Sequence, residues 1–184
     1  KGDAPKKPRG IDTHLRLLQG ERPGRVSASS ASEILALLEL LDEYPFQLIV
    51  DGGTEAWTVA EEIAARDVTV IITPREKRRP DDEVSHPTGS KLENAAILRK
   101  AGVKFAIVTT SPSFSTSGIA GRDLMTLPME AAFAVQGGLD EETALEAITI
   151  TPAEMLGIAD RILKAEVALA AGDGERLWEA MLAD

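Results

Sequence analysis

The 184-residue chain has no cysteine and only two histidines, His14 and His86. Without cysteine there is no disulfide and no thiolate metal site, which leaves the redox compartment open. Aromatic residues make up only 4% of the chain, so Ala, Leu, Ile and Val must build the core. No apolar run approaches the ~20 residues that a membrane-spanning helix needs. Basic residues are outnumbered: 20 Lys and Arg stand against 30 Asp and Glu, for a net charge of −10. That balance argues against nucleic acid as a partner, because phosphate binding calls for a basic surface. It suits an anionic membrane surface no better. Hydrophobic residues at 43% and charged residues at 27% fit a globular protein, and the length allows one domain with a sizeable core or part of a larger one. The first residue is Lys1 rather than Met, which is compatible with a removed signal peptide or an upstream domain.

Patterning supplies the elements. Residues 1–10 (KGDAPKKPRG) are basic and carry Pro and Gly, and are read as a linker or entry segment. IDTHLRLLQG is a short amphipathic helix ending at Gly20, and GRVSAS at 24–29 is a strand. ASEILALLELLDEY places Ile34, Leu37, Leu38 and Leu41 at helical spacing behind a capping serine. FQLIVDGG is a nearly continuous apolar strand, as expected where both faces are covered. TEAWTVAEEIAARD is expected as one helix with Trp57, Val59, Ile63 and Ala64 inward, and VTVIITP as a third strand.

Residues 75–90 (REKRRPDDEVSHPTGS) form a long aperiodic charged loop, uncommon unless functional or mobile. KLENAAILRKAG is a helix expected to be capped by Ser90 and closed by Gly102, and VKFAIVTTSP is the fourth strand. SPSFSTSGIAG is a Ser- and Gly-rich loop, read as polar rather than as an anion cradle because it lacks Walker spacing and its Lys. LPMEAAFAVQGG, DEETALEAI and TPAEMLGIA are helices, with more helix from Asp160 onward. Alternating strands and helices with short connections imply an α/β fold with parallel strands. Four such units make half of an eight-stranded barrel or a small doubly wound sheet, and element order alone does not choose.

The stretches at 26–72, KLENAAILRKAGVKFAIVTTSP, and LPMEAAFAVQGGLDEETALEAITITPAEMLGIADRI resemble the second half of an imidazolonepropionase-like amidohydrolase. The resemblance covers roughly residues 15–162, and the GLDEETALEAIT–TPAEMLGIADRI pair is its most specific part. It implies the C-terminal half of a TIM-type barrel, strands five to eight, over residues 11–162, followed by a C-terminal helical segment at 163–184. In that family, His and Asp ligands at strand ends hold zinc or another divalent ion, whose bound water attacks a non-peptide C–N bond.

The resemblance also implies where ligands belong, and this chain has replaced them. Strand five should end in a His-Ala motif and carries Ser27, Ala28 and Ser29. Strand six should end in Glu-His-Gly and reads Asp51, Gly52, Gly53. Strand eight should read Thr-Asp-Ser-Pro and has Thr109, Thr110, Ser111, Pro112. The ligand-equivalent positions are therefore Ser27, Ser29, Asp51, Gly52 and Thr110, with no catalytic group assigned and no metal or other cofactor expected. Neither histidine falls at a strand end, and both are read as surface or packing residues. Asp51 is expected to cap the following helix, and the Ser and Thr hydroxyls to form a passive polar surface. The expected partners are an N-terminal barrel half or a second copy of the chain, and a small-molecule ligand is compatible with the polar mouth. The function implied is that of an amidohydrolase-like protein, degenerate and metal-free; the alternatives are an active hydrolase completed by an upstream half, or a binding or interaction module.

Overall fold

The computed structural model describes residues 10–109, 120–172 and 176. Four strands form one parallel sheet: β1 (Gly24–Ala28), β2 (Leu48–Gly52), β3 (Thr69–Ile72) and β4 (Phe105–Ile107). Their order in the sheet is the order in the chain. A doubly wound sheet reverses strand order at a switch point, and these four strands show no reversal.

Helices α1 (Ile11–Leu18), α2 (Ala31–Glu43), α3 (Ala60–Ala64) and α4 (Asn94–Ala101) alternate with the strands. After β4 come α5 (Ala120–Gln136), α6 (Glu141–Ile148), α7 (Ile150–Met155) and α8 (Ala159–Ala170). The core lies between sheet and helices. Val50, Val70, Ile72 and Ile107 from the strands meet Ile34 and Leu38 of α2, Ile63 of α3 and Leu98 of α4. Burial of each such side chain contributes about 1.5–3 kcal/mol, and these residues recur at the spacings that predicted the elements.

Side chains alternate across a strand, so the intervening residues face away from this cluster. Ile49, Ile71 and Ala106 are buried there, and Arg25, Ser27 and Asp51 share their face by position. The sheet is therefore apolar on both sides in its middle and polar toward one edge.

Three expectations need correction. The segment after β2 is not one helix: it opens with a single 3₁₀ turn at Ala56–Thr58, and α3 covers only Ala60–Ala64. The Glu55 side chain turns inward, which ties the start of this segment to other loops instead of leaving it to coil regularly. Ser90 does not cap α4, whose N-cap is Glu93 without a side-chain bond. The Ser90 hydroxyl instead accepts from the Arg78 backbone N–H at 3.1 Å. Finally, α5 begins at Ala120, well before the LPMEAAFAVQ stretch, with Pro128 inside it.

Other boundaries agree. Gly102 closes α4 in the left-handed conformation at φ 82°. Ser30 caps α2 through a reciprocal box in which its hydroxyl accepts from Glu33 N–H. The Glu33 carboxylate in turn accepts from the backbone N–H groups of Ser29 and Ser30, both at 2.9 Å.

Candidate functional site at the strand ends

The carboxyl ends of β1 and β2 lie side by side, with Ser27 opposite Asp51 and Ala28 opposite Gly52. The chain leaving β2 then prolongs the ladder: Gly53 N–H donates to Ala28 C=O and Glu55 N–H to Ser29 C=O, each at 2.9 Å. Asn94, the first residue of α4, locks this turn by donating to Gly53 C=O at 2.9 Å and Thr54 C=O at 3.3 Å.

The structure brings four of the five predicted positions together. Ser27 is exposed beside Asp51, and Ser29 is half-buried just past the end of β1. Asp51 does not cap the following helix. Its carboxylate accepts from Arg25 Nε at 2.9 Å and Nη2 at 2.6 Å, because Arg25 stands two residues before Asp51's partner on the same face. Gly52 sits at φ 111°, where a Cβ would lie 3.0 Å from Ser29 Oγ. Thr110 and the loop at 111–119 lie outside the described residues.

Both histidines are away from this site. His14 is exposed on α1 with Nδ1 2.9 Å from Gly10 C=O, and His86 is exposed in the long loop. Among the described residues, no three His, Asp or Glu side chains are grouped to hold a metal ion. Two hydroxyls and a carboxylate already paired to Arg25 do not match the three or more imidazole and carboxylate ligands of a catalytic divalent ion. Among the described residues, this donor set does not by itself fit a catalytic metal.

Two buried carboxylates, missed in the sequence, organise the surroundings. Glu55 is 2% exposed and accepts from Ala31 N–H at 3.0 Å and Gly89 N–H at 2.7 Å, while Arg78 Nε lies 3.0 Å away. One side chain thus joins the end of β2, the start of α2 and both arms of the charged loop. Glu130 on α5 is fully buried and holds Arg75 through Nε at 2.8 Å and Nη2 at 2.6 Å. This pairing raises the pKa of Arg75 above its already high value. Trp57 completes the anchoring by donating from its indole to Gly89 C=O at 3.0 Å. The charged loop is exposed over most of its length but seated at both ends. The signal for Glu130 was in the sequence, since it is the only charged residue between Asp123 and Asp140 in an apolar helical run.

No protein-family model and no curated protein matches the chain. Among solved structures, it is similar to an amidohydrolase from Thermotoga maritima MSB8, with 26% identity and a TM-score of 0.68. The match covers 86% of this chain and 38% of that one, so the chain spans well under half the length of its structural neighbour. Parallel β/α units in sequential order, matched over nearly the whole chain, give this protein an amidohydrolase-like fold.

Proposed function

We propose that the chain is the strand-five-to-eight half of an imidazolonepropionase-like amidohydrolase barrel that has given up metal chemistry and retains the fold for ligand binding or for pairing with another barrel half. The strand ends carry this reading. Gly52 stands where an imidazole is expected, and Asp51 beside it is engaged by Arg25 at 2.6 Å. A carboxylate in an ion pair is a poor ligand, and a glycine is none. Isothermal titration of the purified chain with zinc tests the proposal. Heat no greater than nonspecific binding is expected; stoichiometric, tight zinc uptake would overturn it.

A second reading is favoured by the partial coverage of the neighbour. A hydrolase of C–N bonds whose remaining ligands come from an upstream half would leave this part poor in them. Amide hydrolysis by the full-length gene product, absent from this chain alone, would support that reading over the first.

A further inference from the structure

A cleft of about 610 Å³ opens between the segment after β3, the approach to α4, and the end of α5. It shares no residue with the Ser27–Asp51 strand ends. Its charged lining consists of Arg75, Lys77 and Lys91 against Glu76, and its apolar lining includes Leu92 and Phe133. In a protein of net charge −10 this is a local excess of positive charge.

The cations are held differently. Arg75 is fixed by the buried Glu130, with its guanidinium 5.3 Å from the centre of the Phe133 ring. Glu130 accepts from the Nε and Nη2 of Arg75 as well as from its backbone N–H, which leaves further guanidinium donors for another acceptor. Lys91 stands 4.7 Å from the centre of the Trp57 ring. Neither Lys77 nor Lys91 is ion-paired among the described residues. Two exposed lysines and one oriented guanidinium therefore line the same cleft as half-buried Leu92 and Phe133. Cationic donors, one of them held in place, next to apolar surface match a small organic anion with a carboxylate at one end and an apolar body at the other.

We propose that this cleft is a binding site for such an amphipathic carboxylate. The carboxylate sits between Lys77 and Lys91 within reach of Arg75, and the apolar part lies against Leu92 and Phe133. Glu76 on the rim opposes the anion and sets the selectivity for a single negative charge.

Phenylacetate, phenylacetamide and inorganic phosphate, titrated separately into the full chain and followed by NMR shift perturbation, test this. Phenylacetate is expected to shift the resonances of Lys77, Lys91 and Phe133, with little response to the amide. Lys77→Gln and Lys91→Gln should each weaken binding about threefold, while Glu76→Gln should tighten it, as expected for exposed charge pairs. All three positions are exposed, so far-UV circular dichroism should be unchanged. Added salt should weaken binding. No response to phenylacetate, an equal response to the amide, or stronger binding of phosphate would overturn the proposal. None of these outcomes depends on whether the strand ends bind metal.

Discussion

Gly52 holds φ at 111°, and an added Cβ there would lie 3.0 Å from the Ser29 hydroxyl and 3.3 Å from the Ala28 carbonyl oxygen. An L-residue at such a φ is strained whatever its side chain. Gly52→His should therefore destabilise the chain by about 1–3 kcal/mol without creating zinc affinity. Urea unfolding and zinc calorimetry on the same variant check both halves of that expectation. Glu55 is the counterpart, a residue whose removal strips partners from others. Glu55→Ala leaves the Ala31 and Gly89 N–H groups without their acceptor and should cost about 3 kcal/mol. Glu55→Gln keeps one carbonyl acceptor and should lose less in the same urea titration. The proposal that ligand positions are substituted rests on residue identity against an expected motif. The role of Glu55 was not, because its donors lie 24 and 34 positions away and only folding collects them. Asp51 was misread for the same reason: local sequence pointed to a cap, and the neighbouring strand supplied an arginine.

Helix α2 is the element most fully written in its own sequence, from its capping box to its apolar stripe. The backbone N–H groups of Ser30 and then Ser29 hold the Glu33 carboxyl below its ordinary pKa of 4.5. A folded-state pKa below the unfolded one gives stabilisation that is present above pH 4.5 and is lost as pH falls through the lower folded value. Glu33→Gln should then be less stable than the parent at pH 7, and the gap should close toward pH 3, which thermal melts at both pH values measure. Ser30→Ala removes the other half of the box and should cost about 1 kcal/mol. The segment after β2 shows where periodicity misleads. Val59 and Ile63 are spaced for a helix, yet inward anchoring of Glu55 and the indole bond from Trp57 to Gly89 break the segment into a turn and α3. For Ser90, a nearby partner on the loop outcompeted the cap that its position suggested.

For the molecule as a whole, the four strands run in sequence without a switch point, an order consistent with part of a barrel. Order follows from short connections and could be anticipated only as one of two outcomes; the register needed the fold. Among the described residues, β1 and β4 each pair along one side only. Unpaired edges of a parallel sheet invite association, and the isolated chain is expected to self-associate in sedimentation velocity runs. A monodisperse monomer across the concentration series would count against pairing as its role. The seating of the charged loop also has an optical consequence. The chain has two tryptophans, so in a Trp178→Phe background all indole emission comes from Trp57. Its N–H is held by Gly89 and its ring is faced by Lys91, which makes it an internal fluorophore wired to the loop and to the carboxylate cleft. Arg78→Ala, which loosens one arm of the loop, should shift that emission to the red. Phenylacetate bound near Lys91 should change its intensity, so one wavelength scan reads loop and ligand together.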